Sequence, residues 1–177
     1  MFYRISVLTF LGTAGCCGWG DHHCFKDAVE PCRESLRVTV VEVIDGDTFD
    51  VDPPIELPDG SSVDRVRLLC VDTPEISGDS ECYGHEARDW LAEELEGEQV
   101  TLHFAEDCLG IYGRALAYVQ FGHRLVNLEL AQEGYALPID EWFADYACCD
   151  QIRTAVEQAQ ADELGGWGEC SGSPWEY

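Results

Sequence analysis

Residues 63–75 read VDRVRLLCVDTPE, and the organisation of the chain follows from them. β-Branched and apolar residues from Val63 to Val71 predict a strand. Alternation puts Val66, Leu68 and Cys70 on one face, and Arg65 and Arg67 on the other with Leu69 and Val71. Asp72 falls at the strand end, and Pro74 stops the ladder and fixes a turn. Asp72, the Thr73 carbonyl and Glu75 then offer hard oxygens close together. Such a donor set suits Ca²⁺ or Mg²⁺ and not a thiophilic metal.

Upstream, Arg37–Ile44 (RVTVVEVI) predicts a strand and Phe49–Val51 a second. Between them Asp45-Gly46-Asp47 sets two carboxylates around a glycine, a tight turn that can aim one carboxylate inward. A plain turn cap is the other reading of Asp47. Pro53, Pro54, Pro58 and Asp59-Gly60 predict the connection to the Val63 strand. Downstream, Ala87, Trp90, Leu91 and Leu95 fall at helical spacing over Gly84–Leu95, and Gly97 ends that helix. Val100–Phe104 and Ala115–Phe121 predict two further strands, with Tyr112-Gly113-Arg114 at the entry of the latter. Asn127 is expected to cap a short helix ending at Gly134. Cys149, Ile152, Val156 and Ala159 outline a last amphipathic helix, closed by Gly165-Gly166. Five short strands, one helix after the third and helices at the end suggest a small barrel of the α+β, mostly β class. On pattern alone an open sheet is the alternative.

Composition narrows the function. The 177 residues carry 35 acidic against 10 basic side chains, a formal charge of −25. That length suits one domain, with room for a tail. A hydrophobic share of 46% excludes a disordered acidic polymer. A single lysine, Lys26, and nine arginines exclude a basic DNA-coating protein. No apolar run reaches the roughly 18 residues of a membrane-spanning helix.

Ten cysteines without a CxxC pair predict an exported, disulfide-stapled protein more than a metal protein. Residues 1–15 agree: one cation (Arg4), a short apolar stretch and small residues have the layout of a secretory signal. Thr13-Ala14-Gly15-Cys16 resembles a bacterial lipobox, which makes Cys16 a candidate for lipidation and a membrane tether. Simple cleavage and an uncleaved start are the alternatives. Cleavage leaves 35 acidic against nine basic residues, a charge of −26. Residues 16–36 read as a linker in which His22, His23, Cys24 and Cys32 either bind metal or, more simply, hold a Cys24–Cys32 staple. Cys70 is expected as a buried thiol, Cys82 as the partner of Cys170, and Cys108 as the partner of Cys148 or Cys149.

The runs VIDGDT (43–48), RLLCVDTPE (67–75), YGRALAY (112–118) and VNLELAQEGYA (126–136) together resemble the staphylococcal nuclease (thermonuclease) family. The resemblance spans about residues 37–168, leaving 169–177 as a tail. It implies a five-stranded OB-type β-barrel with three helices. It also implies a Ca²⁺-dependent nuclease that hydrolyses DNA or RNA at the P–O5′ bond and leaves 3′-phosphates. Asp47, Asp72 and the Thr73 carbonyl resemble the calcium ligands, with Asp45 a supporting carboxylate. Glu75 resembles the residue that positions or deprotonates the attacking water. Arg67 and Arg114 resemble the phosphate-clamping arginines, and Tyr112 a substrate contact. Taken singly, Arg67 pairing with Asp64 or Glu86, and Arg114 with Asp107, are the bland readings.

Two departures stand out. Gly110 and Ile111 occupy the places where the family sets an acidic and then a basic residue before the Tyr-Gly-Arg motif. Asp140 takes the place of a tyrosine that flanks the bound nucleotide, leaving Trp142 or Tyr146 to stack on a base of single-stranded DNA or RNA. The acidic surface would repel a polyanion at low salt. Two classes follow: a secreted or lipid-anchored, monomeric nuclease, and a non-catalytic OB module on the same scaffold.

Overall fold

A computed structural model describes residues 31–78, 80–139 and 148–172. Strand β1 (Leu36–Asp45) opens the barrel and pairs antiparallel with β2 (Thr48–Glu56), which pairs antiparallel with β3 (Ser62–Leu68). Strand β5 (Gln99–Leu109) pairs antiparallel with β1 and with β6 (Ala115–Phe121). The parallel pairing of β3 with β6, Val66 opposite Ala115 and Leu68 opposite Ala117, closes the five strands into a barrel. The open-sheet alternative is thereby excluded. Two short pieces, β4 (Val71–Asp72) with β8 (Leu137–Pro138) and β7 (Arg124–Leu125) beside β6, complete the pairing.

Helix α1 (Gly84–Leu95) matches its predicted span and buries Ala87, Leu91 and Leu95. Helix α2 (Val126–Gln132) lies against α3 (Cys149–Ala161), and a short α4 (Gly166–Glu169) follows. The periodic set Cys149, Ile152, Val156 and Ala159 is buried, as 3.6-residue spacing demands. Where α2 ends, Gly134 lies against the turn after α3: a Cβ there would sit 2.2 Å from the Leu164 carbonyl oxygen, so only glycine fits. None of the described helices is long and apolar enough to cross a membrane.

Five expectations change. The predicted Val63–Val71 strand breaks at Leu69-Cys70, where Cys70 adopts a left-handed φ of 63°. Cys70 is not a thiol; it is bonded to Cys149 on α3, and that tie from outside the strand holds the turn. Cys108 pairs with Cys32 rather than with Cys148 or Cys149, which also removes the Cys24–Cys32 staple. Asn127 does not cap α2. It is buried within the helix, accepts the Val119 N–H at 2.8 Å and donates to the Leu69 carbonyl at 2.9 Å. The expected Cys82–Cys170 bridge is present. Cys148 is buried beside Cys149.

Two strands are longer than predicted. β2 runs through Pro53 and Pro54, because the ladder to β3 skips from Asp50 to Ile55 and asks nothing of the missing N–H groups. β5 extends to Leu109, past an irregular register after Phe104. The signal segment 1–15, Cys16, the pair His22-His23, Cys24, Asp140, Trp142 and Tyr146 lie outside the described residues.

Candidate active site

The site forms where the β1–β2 turn, the end of β3 and the start of β6 meet. Gly46 and Asp47 make the two-residue turn, with Asp45 opposite Thr48. Gly46 is needed for closeness. A Cβ on it would come within 2.6 Å of Thr73 Oγ1 and 2.9 Å of the Ala87 Cβ on α1. The turn can therefore lie directly on Thr73.

Asp47 is 5% exposed and points inward. Its Oδ1 accepts the Thr48 hydroxyl at 2.8 Å, and its Oδ2 accepts the Thr73 N–H at 3.1 Å. Arg67 is the hub. Its Nη1 lies 2.9 Å from Asp47 Oδ2 and donates to the Leu68 and Val71 carbonyls at 3.1 and 2.7 Å. Its Nη2 donates to Asp72 Oδ1 at 2.6 Å. One buried guanidinium thus holds the broken end of β3 and both metal-type carboxylates, a fork that only arginine supplies. Asp64 and Glu86 are not its partners in this ion pairing. Neighbouring Arg65 instead makes an exposed two-point pair with Asp50, at 2.7 and 2.8 Å.

Arg114 enters from β6. It donates to Thr48 Oγ1 at 3.3 Å and lies over the Tyr112 ring, 5.5 Å from its centroid. Burial, and then the like charge of Arg67, lower its pKa; it stays a cation. Tyr112, 78% exposed beneath Arg114, stands at the lip of the site, and its neighbour Ile111 is 82% exposed. Glu75 is exposed to water on the loop after Thr73.

The carboxylates crowd one another. Burial pushes Asp45 up to about 7, with Asp47 and Glu75 adding to the rise and the Gly46 N–H opposing it. Burial pushes Asp72 up to about 6 against the pull of Arg67, with Asp47, Glu75 and Glu81 adding to the rise. Thr73 Oγ1 is buried without a hydrogen-bond partner among the described residues. Crowded, partly buried carboxylates are what a hard divalent cation relieves. Among the described residues no three acidic, histidine or cysteine side chains stand together as a closed metal cage. A set of two carboxylates and one backbone carbonyl does not call for one, since hard cations complete their shells with water. The residues present fit Ca²⁺ in that open form.

All the described candidates, Asp45, Asp47, Arg67, Asp72, Thr73, Glu75, Tyr112 and Arg114, thus belong to one neighbourhood. Trp142 lies outside the described residues. Sequence reasoning missed Thr48, which bridges Asp47 and Arg114, and the buried role of Asn127. Thr48 lay inside a motif already singled out. Asn127 carried only the local signal of a helix cap.

A closed five-strand barrel with an acidic turn, two converging arginines and a water-exposed glutamate is an OB-type scaffold that gathers carboxylates and guanidiniums in one place. Comparison with known proteins makes this specific. The staphylococcal nuclease homologue family matches residues 65–169. The chain is 36% identical over 146 residues to the thermonuclease of Staphylococcus intermedius, covering 81% of this chain and 79% of that one. It is 35% identical over 146 residues to the thermonuclease of Staphylococcus hyicus, covering 81% and 82%. With endonuclease YncB of Bacillus subtilis (strain 168) the identity is 32% over 141 residues, covering 77% and 64%. The chain belongs to the staphylococcal nuclease family.

Proposed function

We propose that the protein is a Ca²⁺-dependent nuclease that hydrolyses single-stranded DNA or RNA at the P–O5′ bond, leaving 3′-phosphates. The observation that carries this reading is Arg67 bridging Asp47 and Asp72, with Arg114 close by at the entry of the adjoining strand. Family membership and the printed names of the relatives support it.

Asp47, Asp72 and the Thr73 carbonyl would hold Ca²⁺, and Asp45 would support them. When bound, the cation supplies positive charge against the phosphoryl oxygens. The chain's own groups do the rest. Arg114 spends one N–H on Thr48 among the described contacts and keeps donors for two phosphoryl oxygens. Charge that grows on those oxygens in the transition state is met by the Arg114 guanidinium, while Arg67, its Nη groups engaged by Asp47, Asp72 and the Leu68 and Val71 carbonyls, holds the carboxylates beside it. Glu75, exposed at the site, orients or deprotonates the attacking water. Tyr112 contacts the substrate from the lip.

Three disulfides among the described residues support export to an oxidising compartment, either free or tethered through Cys16. We take the enzyme to act as a monomer.

The test is an assay of the oxidised chain on single-stranded DNA and RNA, with Ca²⁺ and with EGTA. Cleavage that requires Ca²⁺ and leaves 3′-phosphates is expected. Glu75→Gln and Arg114→Ala should each lower it about a hundredfold or more. A folded protein that binds Ca²⁺ and leaves both substrates intact across a salt series would overturn the nuclease reading in favour of a non-catalytic binding module.

A further inference from the structure

Glu75 follows a proline and sits on an exposed loop, outside any strand ladder. Its backbone is nevertheless held on both sides by a single residue. The Glu75 N–H donates to Glu81 Oε2 at 2.8 Å, and the Glu75 carbonyl accepts the Glu81 N–H at 2.9 Å. The neck of this loop is tight. A Cβ on Gly84 would lie 2.8 Å from the Pro74 carbonyl oxygen and 3.0 Å from that of Glu75.

Glu81 is itself anchored from two directions. Its carbonyl accepts the N–H of Gly84, the first residue of α1. Its neighbour Cys82 is bonded to Cys170, directly after α4.

We propose that Glu81 is the positioning residue for Glu75, and that the Cys82–Cys170 disulfide keeps it in place. The inference rests on the nuclease reading for its catalytic consequence, though not for its structural one. A general base must sit within hydrogen-bond reach of its water, and small displacements are costly in rate. The two hydrogen bonds fix the backbone from which the Glu75 carboxylate projects. The disulfide ties Cys82, next to Glu81, to the residue that follows α4.

Two measurements test this. The first is amide exchange at Glu75 by NMR in the Ca²⁺-free protein. The second is kcat, KM and Ca²⁺ affinity with Ca²⁺ supplied. Glu81→Ala should speed exchange at Glu75 about tenfold, the loss of one hydrogen bond. It should lower kcat about tenfold to a hundredfold while KM and Ca²⁺ affinity hold. Glu81→Gln keeps an accepting side-chain oxygen and should restore both. The double variant Cys82→Ser, Cys170→Ser should also speed exchange at Glu75, with the Val119 amide in the barrel still protected.

Unchanged exchange at Glu75 in Glu81→Ala would overturn the proposal. So would Glu81→Gln behaving like Glu81→Ala, because the charge of Glu81 near Asp72 would then be its contribution. If the unaltered protein cleaves nothing, the nuclease reading fails, and the exchange measurement still decides the role of Glu81.

Discussion

At the scale of single residues, the site depends on two positions with opposite demands. Arg67 must be large, planar and forked. Arg67→Lys would leave one of Asp47 and Asp72 without its ion-pair partner and drop the contacts to the Leu68 and Val71 carbonyls. It should lower stability by about 1–3 kcal/mol in urea denaturation. Cleavage, if the nuclease reading holds, should fall about a hundredfold or more despite the conserved charge. Gly46 must be as small as possible. Gly46→Ala would push into Thr73 and Ala87, so the turn must lift off. A loss of about 1–3 kcal/mol and weaker Ca²⁺ binding by calorimetry are expected, because Asp47 moves with the turn. The types and order of the site residues were legible in the motifs, since each chemistry admits few side chains. The mutual contacts were not. That Arg67 bridges Asp47 and Asp72 depends on the strand breaking at Cys70, and no local pattern announces that break.

At the scale of elements, periodicity served well wherever one face packs on one core. Helices α1 and α3 were readable for that reason, and β6, buried on both faces from Ala115 to Val119, was readable from its continuous apolar run. It failed where contacts from elsewhere override it. Apolar residues run on without a break from Leu68 to Val71, yet the chain turns at Cys70, which α3 holds by a disulfide while Asn127 holds the Leu69 carbonyl. The prolines of β2 read as a connection, and the ladder simply passes them over. Disulfide partners could not be read from spacing, apart from Cys82, just before the first helix, and Cys170, after the last. The Cys70–Cys149 bridge closes a separation of 79 residues. Replacing both cysteines by serine should lower stability by about 2–4 kcal/mol, read as the shift of the urea midpoint.

At the scale of the whole molecule, charge sets the terms of encounter. The chain carries a formal charge of −25, and on the nuclease reading its substrate is a polyanion. Long-range repulsion should slow association at low ionic strength and fade as the screening length falls to about 10 Å near 0.1 M salt. Cleavage at saturating Ca²⁺ should therefore rise between about 10 and 300 mM NaCl, the reverse of a basic nuclease. A steady fall across that range, in a simple titration of initial rates, would exclude this account. Gly110 and Ile111 agree with such a surface, since they place no cation beside Arg114 to offset the repulsion.

The parallel pairing of β3 with β6 has one more implication. It is the seam that turns a sheet into a barrel, and it sets the strand that ends in Arg67 and Asp72 beside the strand that Arg114 enters. The two guanidiniums lie far apart along the chain and meet only when that seam is shut. An incompletely folded chain therefore has every residue of the site and none of its geometry. On the nuclease reading, a chain in which that seam is open carries the residues for cleavage without the arrangement that cleavage needs.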